Sequence, residues 1–443
     1  MMLNAVANKS LLSTLIREPL TFFGGLLLFL MTFSPSYNVG AKVILIAVLV
    51  VAIIISRIIY DKLNVTPTVL LWYGIFIVHG IFFTVVGLFY RNNISYILRT
   101  TTYNIIWPVF YLIFTIGLYK KTSLSFIVKV LVLSNFFIAV YIIASTLTLF
   151  GLLPNLPFLT FEMARQDYDT LQGLVKTQTP SVVSLLYTVP FVLGLSILDK
   201  TRKFGFSKLF YNISVVLSII AIICTARRAL ILNVILGFFF TVFIVQWCKK
   251  VDKKAFNATV LKILFWGLIV LMLALISAQQ LGLFDYMLVY EKFTSAFSSQ
   301  GGEDASTSVR YEQFSLLIKS WLQNPILGHG HGAVSSYMVR SEKSPWVYEL
   351  SYVALLFQTG IVGLLAYLAL LVWPIIKGLQ LIRYGSYDAV TFIVPAIVGW
   401  CCFLIANGTN PYLISYDYMW ALFFPLAVIN YFSKQSISGA EEG

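Results

Sequence analysis

Seven of the eleven arginines, Arg91, Arg99, Arg165, Arg227, Arg228, Arg310 and Arg340, fall on or near one side of the chain when its apolar segments are taken to alternate across a bilayer, while most lysines fall on the other. A rule that only places positive charge does not sort the two cation types in this way. Arginine carries a planar fork whose paired N–H groups match phosphate oxygens, so an arginine-rich face suits a pyrophosphate. Arg310 heads a stripe with Phe314, Leu317 and Trp321, which share one narrow face at about 100° per residue. A charge turned toward protein or lipid is costly unless an anion meets it, although snorkelling from the helix end is the plainer account. Arg227 and Arg228 sit in Ile223-Cys224-Thr225-Ala226-Arg227-Arg228-Ala229-Leu230, which leaves almost no loop. Adjacent arginines on so tight a turn repel each other unless they share an anion, or else form an ordinary charged hairpin tip.

Glu349 is expected just inside the first turn of an apolar segment that begins near Tyr348. There the positive end of the helix favours a carboxylate beside an apolar region, which suits a general base or a charge that only caps the helix. Arg165, Arg340, Tyr352, His329 and His331 are expected supporting residues. The two histidines lie in Gly328-His329-Gly330-His331-Gly332 without an acidic or thiol partner nearby, so the run reads as a tight backbone turn with two side chains facing solvent, and no metal is expected. His79 reads as a packing residue. Trp346, Tyr348, Tyr352, Tyr412 and Tyr416 would serve as sugar-stacking surfaces or as membrane anchors.

The elements that must position these groups are membrane helices. The 443 residues are 59% hydrophobic and 11% charged, against roughly a quarter charged in a soluble domain. A soluble globular protein is excluded. Apolar runs near bilayer-spanning length give about twelve spans, at 20–34, 42–59, 68–90, 103–119, 125–152, 180–198, 209–226, 229–247, 260–281, 348–373, 389–407 and 418–432. The lysine-rich turns alternate correctly when both termini are cytoplasmic, and this positive-inside pattern accounts for the +13 charge without nucleic acid. The first segment lacks a cleavage site and reads as a retained helix. Cys224, Cys248, Cys401 and Cys402 suggest neither disulfides nor a metal site. The chain thus reads as one membrane domain, 1–443, with external segments at 153–179 and, between the ninth and tenth spans, at 282–347. The larger one opens amphipathically with Phe284, Met287, Tyr290, Phe293 and Phe297, passes through Ser298-Ser299-Gln300-Gly301-Gly302, and begins a second helix near Ser308 that stops at Asn324-Pro325.

Ser308-Val309-Arg310-Tyr311 through Trp321-Leu322-Gln323-Asn324-Pro325 and the Gly-x-Gly-x-Gly turn, followed by Gly360-Ile361-Val362-Gly363, resembles the signature of the O-antigen ligase and polymerase superfamily. The resemblance is specific over 308–371 and otherwise rests on the span count and the single large loop. It implies an all-α, polytopic, GT-C-like membrane enzyme of the bacterial inner membrane with a large periplasmic loop. Arg227 or Arg228 matches the family's first phosphate-binding arginine, and Arg310 its loop arginine. Ligases carry a histidine eleven residues before the first glycine of the closing motif; here that position is Glu349, which favours a polymerase. The implied reaction is inverting, metal-independent transfer of a glycan from a polyprenyl-pyrophosphate donor to a lipid-linked repeat unit, with no cofactor. Partners would be polyprenyl-pyrophosphate-linked oligosaccharides and the bilayer, with a chain-length regulator protein as the further one considered. The alternatives are a ligase using lipid A-core and a flippase or transporter, which would call for charged or broken helices near mid-membrane and for internal repeats.

Overall fold

Backbone groups in lipid must find their partners within the segment, so runs rich in Leu, Ile, Val and Phe become helices. The computed structural model describes residues 19–60, 64–118, 120–149, 151–154, 177, 179–225, 227–249, 251–280, 305–337 and 344–441. Arg165, Arg340, the expected amphipathic run at 284–297, the 298–302 stretch and most of 153–179 lie outside them. The helices are α1 (Pro19–Phe33), α2 (Val39–Tyr60), α3 (Pro67–Phe89), α4 (Ile94–Thr101), α5 (Trp107–Gly117), α6 (Lys121–Leu149), α7 (Leu185–Leu198), α8 (Lys208–Thr225), α9 (Arg228–Gln246), α10 (Lys253–Gln280), α11 (Ala305–Trp321), α12 (Ser351–Tyr384), α13 (Tyr387–Ala406) and α14 (Met419–Glu441). A π-helical turn, Thr102–Ile106, joins α4 to α5.

Among the described residues there is no strand. Among the described residues seven helices are long and apolar enough to cross a membrane, and Thr21–Phe33 and Val39–Ile54 form shorter apolar helices. The chain is an all-α polytopic membrane protein.

Every residue of α7 is buried. It packs against α13, α9, α8 and α6, and buried polar side chains fix the register of these neighbours. Asn135 of α6 donates to Ser214 (3.0 Å) and Ser218 (2.8 Å) of α8 and accepts from Thr188 of α7 (2.9 Å). Asn233 of α9 donates to the carbonyls of Leu186 and Cys402, each at 3.1 Å. Such bonds hold membrane helices together where apolar contact with lipid is as favourable as contact with protein.

The two ends of the bundle differ in chemistry. At one, Asp388 pairs with Lys121 and Lys203 and gathers three turns. At the other, Lys42 and Asp417 form an ion pair at 2.6 Å with side chains only 2% exposed. The Ser36 N–H donates to Asp417 Oδ2 (2.8 Å) and Lys42 to the Ser34 carbonyl (2.8 Å), which ties the α1–α2 turn to the α13–α14 connection.

The helix α12 is broken at Gly360, where φ is 63° and ψ is −173°. The run 325–332 fills the break with its own backbone. Ile361 and Val362 donate to the carbonyls of Pro325 (3.0 Å) and Ile326 (3.3 Å), while His329 and Gly330 donate to those of Phe357 (3.1 Å) and Gln358 (2.7 Å). On its far side the run is held by α3 and the turn after it: His331 N–H donates to the Phe83 carbonyl (2.9 Å), and Asn92 Nδ2 donates to the carbonyls of His329 (2.8 Å) and His331 (3.1 Å). Gly330 has φ +78°, and a Cβ there would lie 2.2 Å from Gly87 N.

The tight turn is therefore present, but its histidines do not both face solvent. His331 is 1% exposed with Nδ1 3.3 Å from Thr84 Oγ1. His329 is half-buried, its Nε2 2.9 Å from the Ser320 carbonyl and its ring 4.9 Å from Phe357. The backbone contacts that the glycines permit draw both side chains inward.

Candidate active site

Four segments meet at the end opposite Asp388: the α8–α9 turn, α11, the lead into α12, and the α13–α14 connection. Arg227 is the N-cap of α9, with extended backbone (φ −88°, ψ 108°) that ends the preceding helix and starts the next. Its Nη1 donates to Tyr412 Oη at 3.4 Å. Tyr412 in turn donates to Asn410 Oδ1 (3.2 Å), and the Asn410 carbonyl accepts from Ser351 Oγ (2.8 Å), which links this arginine to the start of α12. Arg228 is exposed at the first position of α9. The turn thus separates the two arginines, placing Arg227 toward the protein.

Arg310 reaches the same place from α11. Its Nε lies 2.7 Å from Glu349 Oε2, an ion pair whose side chains are 32% and 19% exposed, while the two contacting atoms are themselves shielded from solvent. Burial pushes the Tyr412 phenol above its usual pKa, Arg227 and Arg310 pull it down, and Glu349 pushes it up. Two guanidinium groups and one carboxylate therefore act on a single hydroxyl, which stays a neutral donor and acceptor.

Glu349 is not in the first turn of α12. The helix starts at Ser351 with Leu350 as its N-cap (φ −82°, ψ 79°) and has no acid in its first turn. The carboxylate precedes the helix, on backbone that lies outside its hydrogen-bond ladder.

The face that α11 turns inward also differs from the expected apolar stripe, and the helix begins at Ala305, ahead of Ser308. Gln313, Leu317 and Ser320 are buried, whereas Phe314 is 49% exposed. The partners on that side explain the difference, because several are polar. Gln313 Oε1 accepts from the Leu350 N–H (3.1 Å), and Ser320 Oγ lies 2.7 Å from Ser335 Oγ. Leu317 completes a small cluster with Tyr348, Ala354 and Phe357. Gln313 Nε2 is shielded from solvent and has no hydrogen-bond partner among the described residues. Arg310 and Gln313 thus grip two consecutive residues, Glu349 through its side chain and Leu350 through its backbone. Gln313 is the residue that sequence reasoning missed; the signal for it was a polar residue one helical turn after Arg310.

Other expected residues have structural partners. Tyr352 donates to the Leu404 carbonyl (2.7 Å) and so joins α12 to α13. Tyr348 is buried and accepts from the Ser335 N–H (2.8 Å); burial raises its pKa and that bond lowers it. Trp346 is buried, packed on Tyr96 at 4.7 Å with Arg99 over its ring at 5.8 Å. Neither Trp346 nor Tyr348 is an open sugar platform. Tyr416 stacks on Trp107 at 5.8 Å. Among the described residues no three His, Cys, Asp or Glu side chains gather as a metal site requires, and the four cysteines are free thiols.

Residues 213–368 match the family model described as O-antigen ligase. The matched segment contains Arg227, Arg228, Arg310, the glycine turn and Glu349, and it ends before Tyr412. No curated protein matches the chain.

Proposed function

We propose that this chain, which carries at residues 213–368 the domain of the O-antigen ligase and polymerase superfamily, a group of glycosyltransferase-like membrane enzymes, is a polysaccharide polymerase. The observation that supports this reading is the convergence of Arg227, Arg310 and Glu349 around Tyr412; the resemblance in the sequence sets Glu349 at the position of the ligases' histidine. The donor is a glycan on polyprenyl pyrophosphate and the acceptor a sugar hydroxyl of a second lipid-linked repeat unit. The hydroxyl oxygen attacks the anomeric carbon from the face opposite the pyrophosphate. As the new C–O bond forms, the bond to the phosphate oxygen breaks and its electron pair leaves with the polyprenyl pyrophosphate. Arg227 and Arg310 stabilise the charge that grows there, and the hydroxyl proton passes to Glu349. The lysine-rich end lies in the cytoplasm and the reaction runs on the outer face.

A ligase would share the donor site and take lipid A-core as acceptor; Glu349 in place of histidine argues against it. A transporter would claim the break in α12, but backbone at 325–332 fills that gap, which favours a structural use. The test supplies purified protein with a synthetic polyprenyl-pyrophosphate repeat unit and EDTA, and follows products on a gel. The wild type is expected to give a ladder that Glu349→Ala and Arg310→Ala abolish. Transfer seen only once lipid A-core is added would identify a ligase, and inactivity of folded protein in both assays would return the transporter.

A further inference from the structure

Resting on that reading, we propose that Glu349 and the donor's pyrophosphate compete for Arg310, so that donor binding is the event that makes the carboxylate available to the acceptor hydroxyl. Arg310 Nε has an anion beside it, Glu349 Oε2 at 2.7 Å, and solvent reaches neither atom. An ion pair at that distance sets the guanidinium against the carboxylate oxygen and so blocks the approach of an incoming hydroxyl to it. The paired donors that hold a carboxylate are also those that hold a phosphate oxygen, so the two anions address one group.

The geometry favours the pyrophosphate once it arrives. Arg227 and Arg310 both act on the Tyr412 hydroxyl, so a pyrophosphate, which carries two phosphate groups, can address both arginines at once.

The exchange does not require α11 to leave. Gln313 holds the Leu350 backbone at 3.1 Å, and Leu317 stays in the cluster of Tyr348, Ala354 and Phe357. Glu349 lies ahead of the first residue of α12, so turning its side chain breaks no helical hydrogen bond. Gln313 is therefore a positioning residue: it keeps base and arginine in register while the anions exchange. Donor binds first and acceptor second, because an acceptor-first complex meets a carboxylate still engaged with Arg310.

Polyprenyl pyrophosphate without a sugar cannot react and serves as the probe, titrated calorimetrically into the full-length protein in detergent. Glu349→Gln is expected to bind it about tenfold tighter than wild type, a coupling of ordinary size between linked sites. Glu312→Gln, which removes an exposed acid of the same helix, is expected to match wild type. In an Arg310→Gln background, Glu349→Gln should bring no further gain. An equal gain in that background would reduce the effect to general repulsion between like charges and overturn the competition. So would the absence of any gain from Glu349→Gln in folded protein. Failure of wild type to bind the probe would overturn the functional reading itself. A second measurement needs no variant: labelled donor, pre-bound and chased with acceptor and excess unlabelled donor, should be trapped in product, and labelled acceptor pre-bound should not. Equal trapping of both would refute the order.

Discussion

At Tyr412 a half-buried phenol accepts from one arginine and lies in the fields of another arginine and a carboxylate. Its partners rank the two adjacent arginines. Arg227→Ala should lower kcat by about 10²-fold, the usual loss when one preorganised donor to a developing anion is removed. Arg228→Ala should cost less than about threefold, as for an exposed cation. Initial rates with the synthetic repeat unit separate the two. Gln313→Leu leaves the Leu350 N–H without its acceptor, a loss of roughly 1–3 kcal/mol when the group is buried. Its distinguishing effect should be a kcat about tenfold lower with an almost unchanged donor KM, because phosphate contacts survive while the base loses register. The residue types here were legible in the sequence: an arginine pair, a lone arginine and an acid are visible without coordinates. Which arginine faces inward was not, since its partner Tyr412 lies 185 residues away in another connection.

At the scale of the element, α12 and the glycine turn form one unit. Gly330→Ala places a Cβ 2.2 Å from Gly87 N at φ +78°. Left-handed strain of about 1–2 kcal/mol joins an overpacking cost of about 1–3 kcal/mol, so the variant should unfold several degrees lower or fail to accumulate folded. Gly74→Ala, where a Cβ would meet nothing within 4 Å, is the control, and thermal unfolding in detergent reads both. The turn was foreseeable from its three alternating glycines. The break at Gly360 was not, because the apolar pattern of α12 runs straight through it and the groups that close it come from the preceding loop. The orientation of α11 was misread for a related reason. Positions 310, 314, 317, 321 and 310, 313, 317, 320 both fit a helical face, and hydropathy favours the first, whereas Leu350 N–H and Ser335 Oγ select the second.

For the molecule as a whole, the two ends of the bundle are each tied together by buried or partly buried ion pairs. The buried Lys42–Asp417 pair fixes the α1–α2 turn to the α13–α14 connection. Asp417→Ala strands an ammonium in the interior and should cost about 3–5 kcal/mol, seen as a large fall in unfolding temperature. Acid should also weaken the fold. Burial, aided by His79, pushes the His331 pKa down to about 3, below its unfolded value of about 6.5. Protons therefore bind the unfolded chain more readily. The stability that this neutral histidine contributes is complete above pH 6.5 and declines as pH falls from there toward 3. Unfolding temperatures measured from pH 8 to 4 should show that slope, and His331→Asn should flatten it. Apolar runs disclosed the membrane class and the approximate helix positions. They gave no sign that α7 is enclosed on all sides, because a helix surrounded by protein is as apolar as one facing lipid.

The filled break in α12 also sets the order in which the protein is made. Spans enter the bilayer as segments satisfied on their own and pack afterwards, but Phe357, Gln358, Ile361 and Val362 take backbone partners from residues 325–330 of the run 325–332. That run must itself settle on α3 and on Asn92. Since α12 leaves the ribosome after α11 and the ten helices that lie ahead of α11 in the described chain, the end that carries Arg227, Arg310 and Glu349 closes late in biogenesis, and a nascent chain stalled before α12 holds all three residues without the helix that positions them.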